Sequence, residues 1–430
     1  MLEKLFQLKA NNTDFRTEFI AGVTTFLTMA YIIFVNPAIL ADAGMDRGAV
    51  FVATCLAAAI GCFIMGFVAN YPIAQAPGMG LNAFFTYTVV LGMGHTWQVA
   101  LAAVFMSGVL FILLSIFKIR ELIINAIPLA LRTGISAGIG LFLALIALKN
   151  SGIVVDNPAT LVSMGDITQF PAVMAALGFF LTIALVHRGY KAAVMIAILA
   201  VTVLGLIFGD IQYAGIVSTP PSLAPTFMQL DFSGALEVGL LSVVFAFLFV
   251  DLFDTAGTLV GVAQRADLMG KDGKIPRLNR ALLADSTATS VGAVLGTSST
   301  TSYIESVSGV SAGGRTGLTA VVVGFLFLLA LFFSPLAGMV PAYATAGALF
   351  YVAILMMSGL VNIDWRDLTE AAPVVVVCLL MPLTFSIAHG IALGFISFAA
   401  IKLFSGKGRD VHISVWILAA LFILKFVFMV

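Results

Sequence analysis

Apolar runs of about 20 residues follow one another along the chain, separated by short polar segments. An α-helix needs about 20 residues to cross the hydrocarbon core of a bilayer. Barrel strands would be about 10 residues long and would alternate in polarity. The pattern therefore predicts an all-α polytopic membrane protein. We place fourteen spans at residues 17–41, 48–69, 74–93, 97–117, 121–149, 170–187, 190–209, 235–262, 281–297, 299–313, 316–335, 341–361, 371–388 and 389–404.

Composition supports lipid as the main solvent of this chain. Only 10% of the 430 residues are charged, 61% are hydrophobic, and the mean hydropathy is +1.12. A soluble domain carries about 25% charged residues. The formal net charge is zero, so we expect no nucleic-acid partner. The three cysteines all lie in apolar runs, and we expect no disulfide, metal or cofactor site.

Lysine and arginine residues orient the predicted spans. With residues 1–16 as a cytoplasmic N-terminus, the basic loops, including 263–280, fall on the cytoplasmic side, and the opposite loops are acidic or neutral. We therefore expect a multi-pass protein of the cytoplasmic (inner or plasma) membrane. The N-terminus lacks the apolar centre of a signal peptide, so the first span should be retained. Residues 405–430 form a C-terminal segment, in which 412–428 either cross once more or lie in the interface.

Two sets of seven spans, at 17–209 and 235–404, resemble each other across an extracytoplasmic loop at 210–234. The matching positions are Glu18 and Glu237, Ile127-Pro128 and Val340-Pro341, and the stretches Pro171–His187 and Pro373–His389. Glu18 and Glu237 each open a first span, where a carboxylate favours a helix N-terminus. Because seven is odd, the second set must be inverted relative to the first. Inverted repeats are typical of secondary transporters.

Spans three and ten are the most interrupted, and they occupy equivalent positions in the two sets. Residues 71–82 are rich in proline and glycine, and residues 296–305 are rich in serine and threonine. Each stretch predicts an extended lead into a short helix. A helix start presents free N–H groups and the positive end of its dipole, so it can receive a polar ligand. Discontinuous helices at mid-membrane are where transporters bind substrate.

Placing an acidic side chain within a membrane span costs free energy, so we interpret such a residue as functional unless there is a reason against it. Asp251 and Asp254 lie three residues apart in span eight and so share a helix face. Glu305 lies in span ten. We interpret Asp251 and Glu305 as functional. Asp254 either joins them or braces the helix.

Six segments carry a resemblance to a known family. They are TEFIAGVTTFLTMAYIIFVNP at 17–37, APGMGLNAFF at 76–85, VDLFDTAGTL at 250–259, TSYIESVSGV at 301–310, GGRTGLTAVVVG at 313–324 and PAYATAGAL at 341–349. The chain resembles the nucleobase–ascorbate transporter superfamily, in its azaguanine-like adenine/guanine/hypoxanthine permease branch. The resemblance covers nearly the whole chain.

The resemblance implies a seven-plus-seven inverted repeat divided into two domains. The core domain would comprise about 17–117 and 235–335, and the gate domain about 121–209 and 341–404. A homodimer would form through the gate domain. The resemblance also implies substrate and proton binding by Asp251, Glu305 and Asn82, with Asp254 at a further polar position of the family motif.

The chemistry of these residues agrees with a purine substrate. A carboxylate accepts hydrogen bonds from the ring N–H groups of a purine, and Asn82 both donates and accepts. The aromatic side chains proposed to stack on the base are Phe84, Phe85, Phe253 and Tyr303, and Ser302 adds a hydroxyl beside them. A proton carried on Asp251 or Glu305 would couple uptake of the neutral base to the proton gradient.

Two other functions are compatible with parts of the pattern. A transporter for an anion or for another base, such as xanthine or uracil, shares the architecture, but an anion site would call for a cation rather than two carboxylates. An intramembrane enzyme would need a nucleophile–base pair or a metal triad, and the four histidines all lie at span ends or in loops. We therefore expect a transporter rather than an enzyme. The family resemblance of the span-eight motif implies hypoxanthine and guanine as substrates, with adenine as a further candidate.

Overall fold

Helices form most of the chain in the computed structural model, which describes residues 2–116, 128–233, 238–265, 268 and 276–428. The backbone of an apolar segment pairs internally when it is helical, and this is what lipid requires. The helices of the first half are α1 Leu2–Phe6, α2 Phe15–Met29, α3 Ile32–Asp42, α4 Arg47–Ile64, α5 Met79–Ala83, α6 Trp97–Ile116, α7 Leu129–Asn150, α8 Phe170–His187 and α9 Ala193–Ile207. Helices α4 and α5 continue as π-helical turns, Met65–Ala69 and Phe84–Val90.

The described residues from 238 onward are also mostly helical. Its helices are α10 Val238–Arg265, α11 Leu278–Leu295, α12 Ser306–Ser311, α13 Gly317–Ala330, α14 Ser334–Met339, α15 Ala342–Met357, α16 Leu368–Leu383, α17 Ile387–Phe404 and α18 Ile413–Phe428. Helix α18 packs on α17, where the rings of Phe395 and Phe422 lie 5.9 Å apart.

Eight helical stretches within the described residues are long and apolar enough to cross a membrane, so the chain is a multi-pass membrane protein. They are Phe15–Asp42, Arg47–Ala69, Trp97–Ile116, Leu129–Asn150, Phe170–His187, Gly317–Met339, Ala342–Asn362 and Ile387–Phe404. The remaining predicted spans contain shorter helices or, in spans eight and nine, the helices α10 and α11, which are not among these eight. The total of fourteen crossings stays a prediction.

The expectation of an all-α protein was incomplete, because four short strands form two antiparallel pairs. Strands β2 Val154–Asn157 and β3 Leu161–Met164 make a hairpin between α7 and α8. Strands β1 Gln75–Pro77 and β4 Thr300–Ser302 pair within the protein, with Ala76 opposite Thr301. Backbone groups away from water must find partners. The two extended leads meet that requirement by pairing with each other.

The helices pack in two groups. In one, α11 packs on α4 and α6, while α13 packs on α2 and α4. In the other, α7 packs on α15 and α16, α8 packs on α9 and α15, and α16 packs on α17. Strands β1 and β4 belong to the first group, where they contact α4 and α11.

Glu18 caps a different helix from the one the sequence suggested. Its fully buried carboxylate does not serve the start of α2, where Asp14 is the cap. Instead it accepts hydrogen bonds from the backbone N–H groups of Arg315 at 2.8 Å and Thr319 at 3.2 Å. The Thr319 hydroxyl donates to it at 2.6 Å. A carboxylate is favourable at the N-terminus of α13 because it meets free N–H groups and the positive end of the dipole. Glu237, its counterpart in the repeat, lies outside the described residues.

Candidate functional site

The paired strands β1 and β4 gather the predicted site residues that lie in spans three and ten. Backbone hydrogen bonds extend the pair at both ends, from Gly78 N to Ser299 O at 2.9 Å and from Tyr303 N to Ala74 O at 2.9 Å. Helix α5 starts directly after β1, and α12 starts four residues after β4. Both short helices therefore begin beside the same two-stranded unit.

Asn82 lies in α5 with its side chain fully buried. The Ser298 hydroxyl donates a hydrogen bond to its Oδ1 atom. Its Nδ2 atom is buried and has no hydrogen-bond partner among the described residues. Buried polar atoms are almost always paired, so this exception needs an explanation. A ligand atom that accepts a hydrogen bond would satisfy it.

Asp251 lies on α10 with 1% of its surface exposed. Its Oδ1 is 3.4 Å from the Thr255 hydroxyl, and its Oδ2 is 3.2 Å from the Thr289 hydroxyl. The Thr289 hydroxyl is also 2.9 Å from the carbonyl oxygen of Thr300 in β4. Asp251 is therefore connected to the paired strands through the threonine of a third element, α11.

Asp285 is a buried carboxylate of this site that the sequence interpretation missed. It lies on α11, fully buried, and its Oδ1 accepts hydrogen bonds from the Ser302 hydroxyl at 2.9 Å and from Nε2 of Gln75 at 3.2 Å. Its Oδ2 accepts from the Thr255 hydroxyl at 2.8 Å. One side chain thus joins β1, β4 and α10. The signal was present, because an aspartate inside predicted span nine calls for the same reasoning that selected Asp251.

Glu305 lies at the start of α12 and is half-buried, unlike the two aspartates. Its Oε1 accepts a hydrogen bond from the Tyr31 hydroxyl at 2.6 Å. The neighbouring side chain of Ile304 is 44% exposed. The residue is therefore partly exposed, while its Oε1 atom lies against the buried side chain of Tyr31. It pairs with Tyr31 rather than with the network around Asp285.

The aromatic side chains proposed to stack on the base are packed against other protein groups in this conformation. Phe84 and Phe85 are fully buried, and the Phe84 ring meets Phe247 edge-on at 4.8 Å. The Tyr303 hydroxyl donates to the carbonyl oxygen of Pro77 at 2.6 Å. The side chains of Phe253 and Asp254 lie outside the described residues, although both positions belong to α10.

The first turn of α5 also contacts the second group of helices. A Cβ atom at Gly80 would lie 2.5 Å from Cγ2 of Ile139 on α7. Only a residue without a side chain permits this approach. The site therefore lies where the two packing groups meet.

The chemistry available at the site is hydrogen bonding and proton binding. The carboxylates accept, the Asn82 amide donates and accepts, and several hydroxyls do both. Within the described ranges, no group of three or more His, Cys, Asp or Glu side chains is placed to hold a metal ion.

Comparisons with known proteins give the chain a family. Residues 16–393 match the model described as "Permease family" (Xan_ur_permease). The adenine permease AdeP of Escherichia coli K12 is 53% identical over 428 residues, which cover 100% of this chain and 96% of that protein. The guanine/hypoxanthine permease PbuG of Bacillus subtilis 168 is 49% identical over 440 residues, which cover 100% of both.

A solved structure shares the fold. The transmembrane domain of a cyanobacterial bicarbonate transporter, BicA, aligns with a TM-score of 0.67 at 16% identity and covers 87% of this chain and 97% of its own. At that identity the similarity concerns the fold alone. The family match and the permease relatives confirm the predicted resemblance and the expectation of a transporter rather than an enzyme. The chain belongs to this permease family, whose members similar to it include adenine and guanine/hypoxanthine permeases.

Proposed function

We propose that this protein carries purine nucleobases across the cytoplasmic membrane together with protons, by alternating access. The observation that carries the proposal is the buried polar cluster at the β1–β4 pair, in a chain of this family. There the carboxylates of Asp251 and Asp285 and the amide of Asn82 gather around two short strands. The bases proposed are adenine, guanine and hypoxanthine, which the names of the relatives AdeP and PbuG contain.

We assign recognition of the base to hydrogen-bond donors and hydrogen-bond acceptors among the side chains of the site. A purine offers ring nitrogen acceptors, ring N–H donors and an exocyclic amine or keto group. The unpartnered Nδ2 of Asn82 would donate to a ring acceptor, and a carboxylate of Asp251 or Glu305 would accept from a ring N–H. Ser302, Tyr303, Phe84, Phe253 and Asp254 remain proposed contributors to the same site.

Coupling to protons is assigned to Glu305 and Asp251. Both are acidic side chains that carry a negative charge when ionised, and Glu305 takes no part in the ion pairs Lys402–Glu370 and Lys407–Asp367 between described residues. A proton bound to either carboxylate would cancel that charge. Transport of a neutral base together with this proton would couple uptake to the proton gradient.

Alternating access would move the two packing groups against each other as core and gate domains. Their contacts at the proposed extracytoplasmic ends include the Thr88 hydroxyl on Phe385 O at 2.9 Å and the Arg47 guanidinium on Val340 O at 2.7 Å. We propose that the described conformation is closed outside, with fourteen spans and a cytoplasmic N-terminus. The antiparallel pairing of β1 with β4 is what a two-fold relation between inverted repeats produces.

We also propose a homodimer formed through the gate domain. Helix α8 of that domain leaves the large apolar side chains of Leu177 and Phe180 at the surface, with 40% and 64% exposed. Lipid or a second copy can cover such side chains.

Uptake of radiolabelled bases tests the transport proposal. Cells that lack their own purine permeases should accumulate labelled hypoxanthine, adenine or guanine when they express this chain, and a protonophore should abolish accumulation. Unlabelled competitors should include all three bases together with xanthine and uracil, which test the alternative substrates. Sodium-dependent uptake that survives the protonophore would refute proton coupling.

Replacing Glu305 with glutamine tests the assigned proton carrier. Glu305→Gln keeps the size and removes the charge and the titratable proton. A hydrogen bond to a charged group contributes about 1.5–3 kcal/mol, so base affinity should fall roughly ten-fold or more. Net accumulation should fail even where binding persists. Leu81→Val is the matched control and should behave like the parent at equal expression. A Glu305→Gln protein that concentrates purines normally would show that Glu305 is structural.

A further inference from the structure

Tyr31 occupies the turn that separates α2 from α3, and it is 2% exposed. Its hydroxyl donates to Oε1 of Glu305 at 2.6 Å, across 274 residues of sequence. The end of α2 also passes along the Glu305 backbone, because the Thr28 hydroxyl lies 3.5 Å from the Glu305 carbonyl oxygen. The first span is thus fixed beside the start of α12.

The carboxylate of the half-buried Glu305 differs from the buried carboxylates of Asp285 and Glu18 in how it is held. Asp285 accepts from three side chains, and Glu18 accepts from several groups around the start of α13. Among the described residues, the Tyr31 hydroxyl is the one side-chain donor within hydrogen-bond distance of Glu305. The backbone N–H of Glu305 itself also interacts with the carboxylate. Removing the Tyr31 hydroxyl would therefore remove the side-chain donor that orients this carboxylate.

Other titratable groups face Glu305 from each neighbouring element. Tyr303 of its own segment and Tyr351 of α15 are close enough to interact with it or with Tyr31. Helix α12 packs against α2, which carries Arg16 and Glu18, and against α10, which carries Asp251, Asp254 and Arg265. Glu18 is bound to the start of α13, and Asp251 lies beside Thr255 and Thr289. Among the described residues, the side-chain hydrogen bond to the Glu305 carboxylate comes from Tyr31 and from none of these other groups.

A phenol suits a carboxyl group that gains and loses a proton. Its O–H donates to an ionised carboxylate, and its oxygen accepts from a protonated acid. The pair can therefore persist in both protonation states. Phenylalanine has nearly the same shape but no hydroxyl, so it can form a hydrogen bond with neither the ionised nor the protonated carboxyl group.

We propose that Tyr31 is a positioning residue of the proton site, whose hydroxyl holds Oε1 of Glu305 through the transport cycle and so orients the carboxylate toward the base. This inference rests on the proposed role of Glu305 as proton carrier. Tyr31 acts through Glu305 and does not itself carry the transported proton.

Carbodiimide labelling of Glu305 tests the role without any purine. Dicyclohexylcarbodiimide reacts with a protonated carboxyl group: the acid proton moves to nitrogen, the carboxylate oxygen adds to the central carbon, and the adduct rearranges to a stable N-acylurea. The purified full-length protein is treated across a pH series, and mass spectrometry measures the modified Glu305 peptide. Tyr31→Phe removes a donor to the ionised form, so the midpoint of labelling should move up by roughly one to two pH units.

Tyr343→Phe is the matched control. The Tyr343 hydroxyl also donates to a carboxylate at 2.6 Å, that of Asp210, and its side chain is 6% exposed. This variant should label Glu305 with the parental midpoint. Tyr31→His retains a hydrogen-bond donor, so its labelling midpoint should lie closer to that of the parent than the midpoint of Tyr31→Phe does. It also allows the proposal to be tested if Tyr31→Phe folds poorly.

The outcomes separate this inference from the proposed function. A Tyr31→Phe midpoint equal to that of the parent, or an equal shift in Tyr343→Phe, overturns the positioning role while leaving purine uptake by the parent untouched. Absence of proton-driven purine uptake by the parent overturns the proposed function, whatever the labelling shows. A shift confined to Tyr31→Phe, accompanied by uptake whose pH profile moves in the same direction, supports both.

Discussion

The two strand–helix segments have similar backbones and different side-chain chemistry. Residues 75–90 run from β1 into α5 and contribute the amides of Gln75 and Asn82 to the buried site. Residues 300–311 run from β4 into α12, carry Glu305, and lie beside Asp251 and Asp285 from the same half of the chain. The first half has a buried carboxylate, Glu18, which serves as a helix cap.

The difference shows that the backbone and the chemistry of the site follow separate requirements. Antiparallel pairing satisfies the backbone of both extended leads, so it favours two similar segments. Two segments that both carried only amides would leave nothing to titrate. Here the first segment supplies the amides of Gln75 and Asn82, and the second supplies the titratable side chain of Glu305. We therefore interpret the first segment as recognising the base and the second as also handling the proton.

The largest effect should come from the carboxylate that joins the two segments. In Asp285→Asn the charge is lost and an NH2 group replaces one of the two acceptor oxygens, so Ser302 and Gln75 on Oδ1 and Thr255 on Oδ2 can no longer all donate to this side chain. Each hydrogen bond lost to a buried charged group costs about 1.5–3 kcal/mol, and the initial rate of purine uptake should fall roughly 100-fold or more. The measurement is uptake at matched surface expression. Near-parental uptake would show that the segments do not depend on Asp285.

A smaller effect, on base affinity, should come from the amide of Asn82 in the first strand–helix segment. Asn82→Ala removes both the unpartnered donor and the acceptor of the Ser298 hydroxyl, and equilibrium base affinity should fall about ten-fold, as expected for one net hydrogen bond. Asn150→Ala is the control, because its amide makes a long 3.4 Å contact with Tyr87 away from the strands. The pH dependence of binding should stay parental in Asn82→Ala. A changed pH dependence would contradict the division of roles.

The smallest effect should come from a carboxylate outside the site. The Thr369 hydroxyl, together with Lys407, holds the pKa of Asp367 well below its usual range. A lowered folded-state pKa stabilises the fold at every pH above the unfolded value of about 3.9, and the contribution is lost only as pH falls toward the folded pKa. Asp367→Asn should therefore lower the unfolding temperature slightly and equally at pH 5 and pH 8, with parental uptake. A drop that differs between pH 5 and pH 8 would contradict this assignment.

Several features of the site could be predicted from the sequence because their signals are local. Asp251 and Glu305 are conspicuous as acidic residues in apolar runs, and the proline, glycine and serine content marks residues 71–82 and 296–305. Asp285 carried the same signal and was missed. Tyr31 could not be selected, because a tyrosine in an apolar span is ordinary until its hydroxyl is known to meet Glu305.

The sequence by itself determined that the chain is mostly helical and crosses a membrane several times, since hydrophobic length and turn-forming residues act over a few neighbours. The tertiary structure alone decided which distant groups satisfy one another. It paired Gln75 with Ser302, placed Glu18 on the helix start 297 residues away, and seated Asp285 between two strands and α10. The physical reason is that a polar group removed from water must be paired by whatever the fold brings within about 3 Å, and sequence separation does not enter that requirement.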